Sequence, residues 1–218
     1  MGKRKKMKFD AIRAYRLSEY IWSPKINAYT YPNGVRVSER ALYGAIKRYE
    51  KKLEEDLQSI TTSLFRGDLS LANWQKEMGA RVKKSHLELL KFGAGGTVRA
   101  WQENETIRHL ERFDYPALDK FGRDLQSGKL SKKQIRARVA QYAKSPKIAY
   151  ERGRLGIKKE TGQQYGRRLL GKTDLHCEDC LRYAGLGWQR LEDIILPGTN
   201  CQCGANCLCS IEVVAKLP

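Results

Sequence analysis

Residues 39–66 read ERALYGAIKRYEKKLEEDLQSITTSLFR, and this segment determines the fold class. Its apolar residues recur every three or four positions, which is the spacing of one face of an α-helix. Ser38 precedes the segment as a candidate N-cap, and Gly67 follows it as a terminator. We predict an amphipathic helix of about four heptads, covered either by later helices, which we favour, or by another subunit. The apolar face consists of Leu42, Ile46, Tyr49, Leu53, Leu57, Ile60 and Leu64.

The sequence on either side of this helix predicts one hairpin and several further helices. Residues 26–31 and 35–37 are β-prone and flank a Pro-Asn-Gly turn, which predicts a short hairpin. After Gly67, apolar spacing, a capping box opening at Ser131 and a break at Pro146 indicate more helices. These are expected from 71 to the glycine run at 93–96, over 97–112 and 114–127, and over 132–143 with a continuation near 148–155.

The predicted fold class is mainly α, with an elongated helical body, a short N-terminal hairpin and a small cysteine-rich α+β C-terminal module. Residues 156–170 are basic and interrupted by glycines, so we expect a flexible junction there. Residues 210–214 are expected to form a final strand. The predicted domains are a basic N-terminal arm at 1–25, a helical body at 26–165 with its hairpin at 26–37, and the cysteine-rich module at 166–218.

The composition fits one or two folded domains. The chain has 218 residues, of which 41% are hydrophobic and 30% charged, and its mean hydropathy is −0.62. This supplies a lean core but argues against wholesale disorder. No stretch approaches the roughly 20 apolar residues of a membrane-spanning helix, and the basic start does not run into an apolar segment. We therefore expect no membrane partner and no export signal.

The net charge of +18 comes from two segments. Residues 1–16 contain seven Lys or Arg and one acid, residues 129–172 contain fourteen and two, and the rest of the chain is balanced. Such segments are typical of surfaces that bind a polyanion, with nucleic acid as the expected partner and no base-specific readout. The alternative is that they are only solvated surfaces. The candidate nucleic-acid-binding residues are Lys3, Arg4, Lys5, Lys6, Lys132, Lys133, Arg136, Arg138, Arg152, Arg154, Lys158, Lys159, Arg167 and Arg168.

All six cysteines fall within the last 42 residues. A C-x-x-C pair followed by a second cluster about twenty residues later can supply the four thiolates of a tetrahedral zinc site. Six thiols exceed the needs of one ion, and disulfides are the alternative staple for a module with little core. Because no export signal is visible, we favour structural zinc. The candidate ligands are Cys177, Cys180, Cys201, Cys203, Cys207 and Cys209, and His176 is interpreted as a bystander.

No catalytic constellation stands out in the sequence. P-loop, H-E-x-x-H and G-x-S-x-G motifs are absent, and the C-x-x-C pair lacks the alternating strands and helices of a thioredoxin-like redox site. His86 falls on or beside the apolar face of a predicted helix, with no second metal ligand at a useful spacing, so we interpret it as a core residue. We expect a protein that is not an enzyme.

The C-terminal motifs also resemble a known family. Residues 177–188 (CEDCLRYAGLGW), the Leu-Pro-Gly at 196–198 and residues 206–212 (NCLCSIE) are similar to the tail of tailed-phage head morphogenesis proteins, the Mu-F-like minor head proteins. Segments of the helical body at 71–75, 93–96, 128–138 and 149–154 are similar to that family in the same order. The resemblance covers most of residues 26–214.

This resemblance implies a non-enzymatic minor head protein of a tailed phage. Its partners would be the portal and capsid proteins together with packaged or exiting double-stranded DNA, bound without sequence specificity, with multiple copies around the portal. It would be located inside the virion head, and in the host cytoplasm during assembly. The family pattern points to Cys177, Cys180, Cys207 and Cys209 as structural thiols, whereas Cys201 and Cys203 could supply better-spaced donors. The alternatives are a stand-alone zinc-ribbon nucleic-acid-binding protein and an enzyme, such as a nuclease or transferase, hidden in the terminal module.

Overall fold

The computed structural model describes residues 17–218 and confirms a mainly α protein with small β elements. Four of the candidate DNA-binding residues lie outside the described residues, namely Lys3, Arg4, Lys5 and Lys6. The chain divides into two compact units, residues 1–52 and 53–218, which are described separately. None of the helices within residues 17–218 combines the length and apolar character that a membrane span requires.

The first unit contains a hairpin whose pairing differs from the prediction. Strands β1 (Ile21–Ser23) and β2 (Ala28–Thr30) are antiparallel, whereas the predicted partner segment at 35–37 contributes only a bridge between Thr30 and Arg36. The prediction was wrong because residues 21–23 were assigned to the basic arm. Their Trp22 packs edge-on against Tyr29, with ring centroids 5.2 Å apart, and such cross-strand aromatic pairs stabilise a short hairpin.

The long helix forms as its apolar spacing predicts. Helix α1 spans Glu39–Arg66, beginning in the first unit and ending in the second. Its first turn is capped because the Ser38 hydroxyl accepts a hydrogen bond from the Ala41 amide at 3.2 Å. In the second unit, Leu57 on this helix is fully buried. This part of the apolar face is therefore covered within the chain, as favoured above.

The rest of the second unit consists of five helices, a π-helical segment, a small sheet and a terminal module. The capping box predicted at Ser131 is confirmed, because its side chain and that of Gln134 cap the start of α5, and Ser70 caps α2 in addition. Pro146 ends the run of α5 and precedes α6. The helices are α2 (Leu71–Gly93), α3 (Ala100–His109), α4 (Tyr115–Gln126), α5 (Lys132–Lys144) and α6 (Lys147–Glu160), with a π-helical segment at Leu110–Asp114.

The core of this unit is built on α2. The Trp74 ring is fully buried and packs edge-on against Phe121, with centroids 5.4 Å apart. Its indole N–H donates to the Thr61 hydroxyl at 3.2 Å, so the one polar atom of the ring is satisfied in the interior. The interior of this unit is therefore filled by large apolar side chains, with the one polar atom of the Trp74 ring hydrogen-bonded.

Glycines allow α2 and α6 to approach closely. A Cβ atom at Gly153 would lie 2.5 Å from the Leu90 carbonyl oxygen and 2.6 Å from the Ala94 amide nitrogen. A Cβ at Gly93 would meet the backbone of Tyr150 from the opposite side. Since both obstacles are main chain, no side-chain rotation can relieve them, and the two glycines fix the distance between the helices.

The flexible junction predicted at 156–170 is wrong, because residues 156–160 complete helix α6 and residues 165–169 form a strand. Strand β3 (Tyr165–Leu169) lies at the centre of an antiparallel sheet between β4 (Gln189–Arg190) and β5 (Ser210–Val214), and β5 has the bounds predicted for it. The junction prediction was wrong because the inward positions of β3 are Gly166 and Arg168, which give no apolar alternation. Helix α7 (Glu178–Gly185) follows β3 and carries the first cysteines.

Candidate metal centre

The cysteines converge from one helix and one loop. Cys177 is the N-cap of α7 and Cys180 lies in its first turn. The other four follow Gly198 in the loop that leads to β5. A single 3₁₀ turn at Gly204–Asn206 separates Cys203 from Cys207, and the positive φ of Gly204 (48°) permits that reversal. The loop therefore folds back over the start of α7.

Four thiols form a compact group. The Cys180 Sγ lies 3.5 Å from the Cys203 Sγ and 3.6 Å from the Cys207 Sγ. The Sγ atoms of Cys201 and Cys203 are 3.3 Å apart, and all four sulfurs lie within 4.8 Å of one another. Thiolates on a tetrahedral ion with metal–sulfur bonds of about 2.3 Å stand about 3.8 Å apart. The four sulfurs therefore match, in number and in separation, the four ligands of one tetrahedral metal ion.

No disulfide is formed among the cysteines, all of which lie in the described part of the chain. All six thiols are free, and the sulfur distances given above exceed the roughly 2.05 Å of a disulfide bond. The alternative of a disulfide-stapled module therefore has no support in the geometry. What the structure shows is a cluster of four thiols that could hold a metal.

The remaining two cysteines pack against this group. Cys209 is buried in the same cluster and Cys177 is partly buried beside it. The four-thiol group consequently contains Cys201 and Cys203, which the family resemblance left uncertain, in place of Cys177 and Cys209. The cause is the 3₁₀ turn, which brings the side chains on both of its ends towards α7.

Burial and mutual hydrogen bonding separate the acidities of these thiols. A hydrogen bond with Cys207 is the main reason why the pKa of Cys201 is lowered to about 4. The same hydrogen bond raises the pKa of Cys207, and burial raises the pKa of Cys203 to about 11. Without a cation the group thus favours one thiolate among protonated neighbours. Four thiolates at these distances would repel one another unless a positive ion lay between them.

Arg168 supports the cluster and was wrongly assigned to a DNA-binding surface. Its side chain is buried because β3 directs it into the module. The guanidinium donates to the Ile195 carbonyl at 2.5 Å, lies 4.8 Å from the centroid of the Tyr183 ring and lies 3.7 Å from the Cys180 Sγ. A fixed positive charge beside the sulfurs favours thiolates. Sequence reasoning missed this role because the basic segment around Arg168 indicated an exposed surface.

The other basic candidates differ in exposure: one is buried, one is half-buried, three are exposed and four form ion pairs. Arg152 is also buried, with its guanidinium donating to the Thr106 hydroxyl at 3.0 Å, so its assignment to the surface was wrong. Lys132, Lys133 and Arg136 are exposed at the start of α5, and Lys158 is half-buried. Four others form ion pairs: Arg138 with Asp124, Arg154 with Glu151, Lys159 with Glu192, and Arg167 with Glu212.

A second group of possible ligands was missed by the sequence analysis. His86 on α2 lies beside His109 and Asp114, and one ligand atom from each lies within 4.8 Å of the others. His86 is a core residue, as expected, but His109 and Asp114, which are distant in the sequence, bring two possible metal ligands to it. No sequence signal could identify the group, because its members are brought together by the packing of α2 against the α3 segment.

Comparisons of the chain with protein-family models, with curated proteins and with solved structures find no match. The two clusters are therefore defined by the geometry of this chain alone.

Proposed function

We propose that the four-thiol group of Cys180, Cys201, Cys203 and Cys207 binds a structural zinc ion. The sulfur distances of 3.3–3.6 Å support this because they approach the edge of a zinc–thiolate tetrahedron. All-thiolate donor sets are typical of closed structural zinc sites, which leave no position for substrate. In this proposal Arg168 and the Gly198 amide, which donates to the Cys201 sulfur at 3.3 Å, offset part of the charge of the thiolates.

The role of the ion is to hold the terminal module together. The buried cluster of the module consists of cysteines and Tyr183, with Ile195 packed against it. Such an interior buries little apolar area, and this burial is too small to offset the conformational entropy that is lost when the loop becomes ordered. Zinc supplies the missing free energy because binding and folding are coupled at such sites.

We further propose that the protein is a non-enzymatic minor head protein of a tailed phage, associated with the portal inside the virion head. The observation that carries this proposal is the tail, where C-E-D-C at 177–180 and N-C-L-C at 206–209 resemble the signature of that family. The zinc module would be a rigid element for docking on portal or capsid proteins. Assembly would take place in the host cytoplasm.

DNA is the second proposed partner. Lys132, Lys133 and Arg136 are exposed on one end of α5, and each can neutralise a phosphate without reading a base. The predicted contribution of the N-terminal arm falls outside the described residues. A protein that binds phosphates near a DNA column gains affinity from counterion release, with no need for sequence specificity.

The test is composition of purified particles. Phage particles from a strain encoding the chain would be purified, disrupted and analysed by quantitative mass spectrometry, with the portal protein as internal reference. We expect the chain in a fixed, low ratio to the portal. Its absence from particles, together with base-selective DNA binding by the isolated protein, would favour the stand-alone zinc-ribbon protein. Nucleic-acid turnover by the purified chain would contradict the non-enzymatic proposal.

A further inference from the structure

A second cluster of metal-ligating side chains lies inside the helical body. His86 belongs to α2, His109 ends α3 and Asp114 ends the π-helical segment. We propose that these three residues bind a divalent transition-metal ion through two imidazole nitrogens and one carboxylate oxygen. This site goes beyond the proposed function and uses none of the cysteines.

The hydrogen bond of His86 leaves one ring nitrogen facing the carboxylate. The Nδ1 of His86 lies 3.0 Å from the Val82 carbonyl oxygen. Because a carbonyl only accepts, Nδ1 carries the proton, and the Nε2 of the neutral ring presents a lone pair. A second-shell backbone carbonyl of this kind is what orients a metal-binding histidine. The Asp114 Oδ2 lies 3.4 Å from that nitrogen.

Two buried polar atoms lack hydrogen-bond partners at this point. The His86 Nε2 and the Asp114 Oδ2 are 3.4 Å apart, yet neither makes a hydrogen bond. His86 is fully buried, and Asp114 is 9% exposed. Leaving such atoms unpaired in an interior is costly, because they lose their hydration without gaining a new partner. A cation placed between them would satisfy both atoms.

The distances suit an ion of the zinc class. The His109 Nε2 lies 3.7 Å from the Asp114 Oδ2, close to the 3.4 Å that separates the Asp114 oxygen from His86. Nitrogen and oxygen ligands at about 2.0–2.2 Å from a tetrahedral ion stand about 3.3–3.6 Å apart. Two imidazoles with one carboxylate form a donor set that favours zinc, iron or cobalt over magnesium or calcium.

The π-helical segment creates the site. In an α-helix, residues five apart are rotated by about 140° around the axis, which would point Asp114 away from His109. The wider turn across Leu110–Asp114, closed by a hydrogen bond from the Tyr115 amide to the Leu110 carbonyl, brings both side chains to the same face. Single π turns of this kind are frequent at functional sites.

A cavity borders the site on the side of His109 and Asp114. It has a volume of about 390 Å³ and its walls include His109 and Asp114, together with Ser145 and Thr199. Three protein ligands leave at least one coordination position on a zinc-class ion. Water from this cavity can fill that position, which a fully closed structural site would not permit.

A shared proton is the competing explanation for the same contacts. Burial raises the pKa of Asp114 to about 7, so a protonated carboxyl could donate to the His86 Nε2. Arg152 disfavours positive charge at both histidines, and burial together with that charge lowers the pKa of His109 to about 4. Glu105 in turn favours the charged form of Arg152. The proton and the metal predict different responses to Co²⁺.

The test uses Co²⁺ as the probe on the full chain. Protein is stripped with a chelator under reducing conditions, dialysed and titrated with Co²⁺, while bound metal and visible absorption are measured. We expect one more Co²⁺ per chain in the wild type than in Asp114→Asn. The additional ion should give ligand-field bands without a thiolate charge-transfer band. In Asp114→Asn, the affinity of this site for Co²⁺ should fall by more than about 10- to 100-fold, which is the loss expected when a partner outside the ligand set is removed.

Glu111→Gln is the matched control because it removes an exposed carboxylate from the same π-helical segment. It should bind Co²⁺ as the wild type does. Through this site Co²⁺ should stabilise the wild type but not Asp114→Asn. The variant should therefore melt further below the wild type in Co²⁺ than in chelator. Equal Co²⁺ uptake by Asp114→Asn and wild type, or loss of the thiolate band in Asp114→Asn, would overturn the proposal. An identical change in melting temperature with and without Co²⁺ would assign the contact to a shared proton.

Discussion

The helical body and the terminal module of the second unit are held together by different means. In the body, large side chains such as Trp74, Phe121 and Leu89 are fully buried, and the rings of Trp74 and Phe121 pack against each other. In the module the central buried cluster is made of thiols and Tyr183. A smaller apolar cluster is formed by Leu191 and Ile211 with Leu155 of α6. The body can therefore fold by burial of apolar surface, whereas the zinc proposal makes the module depend on a metal bound by its sulfurs.

The largest effect should follow metal removal. A structural zinc ion contributes an apparent free energy of about 10–16 kcal/mol at sites of this kind. With a chelator and a reductant present, amide hydrogen exchange should accelerate throughout residues 171–218 and stay slow in α2 and α4. Protection of the module that survives proven loss of the metal would refute its dependence on the ion.

Two cysteine variants sharpen this experiment. Cys180 belongs to the four-thiol group, whereas Cys209 is equally buried but lies outside that group, although its thiol hydrogen-bonds with that of Cys180. Cys180→Ser should lose the metal and reproduce the exchange pattern of the chelated protein, while Cys209→Ser should retain the metal. Equal metal loss in both variants would move Cys209 into the ligand set.

The second largest effect should come from the core of the body. Trp74→Ala removes a fully buried ring and should cost about 3–5 kcal/mol in the free energy of unfolding. The measurement is urea denaturation in excess zinc, and Leu181→Ala on the half-exposed face of α7 is a control expected to cost under about 0.5 kcal/mol. A loss from Trp74→Ala that is as small as the control would mean that packing does not hold the body.

A smaller loss is expected where the two helices cross. Gly153→Ala places a Cβ about 2.5 Å from the Leu90 carbonyl oxygen, and overpacking of this kind costs about 1–3 kcal/mol. Gly185→Ala is the control, because a Cβ there meets nothing within 4 Å. Both variants gain helix propensity. If Gly153→Ala were stabilised as much as Gly185→Ala, the two helices would lie further apart than the structure shows.

The same contrast explains how far the sequence could predict the structure. Helix α1, the caps at Ser70 and Ser131 and strand β5 depend on local spacing and local hydrogen bonds, which the sequence displays directly. Strand β3 does not, because its buried positions are a glycine and an arginine and its pairing partners lie more than twenty residues away.

The candidate sites divide in the same way. The confinement of six cysteines to one tail predicted a thiol cluster, but the choice of Cys201 and Cys203 depends on a 3₁₀ turn that spacing does not encode. The His86 cluster needs both the packing of α2 and a π turn at residues 110–114. Burial of Arg152 and Arg168 likewise follows from tertiary contacts, so a count of basic residues overstated the exposed charge.

The smallest effect on stability should come from the exposed end of α5. Replacing Lys132, Lys133 and Arg136 with glutamine should change the free energy of unfolding by less than about 0.5 kcal/mol, because these side chains are exposed. DNA affinity should nevertheless fall, and the slope of log K against log salt should become shallower by about 2 to 3, since each phosphate contact contributes about 0.9. The matched control replaces three exposed lysines of α2, namely Lys76, Lys83 and Lys84.

Both triple variants carry the same net charge, so a purely global attraction would weaken them equally. If α5 contacts the phosphates, only its variant should lose the salt slope, because counterions are released where charges meet. Fluorescence anisotropy on a labelled duplex of random sequence at several salt concentrations measures both slopes. Equal slopes in the two variants would remove α5 from the proposed DNA surface.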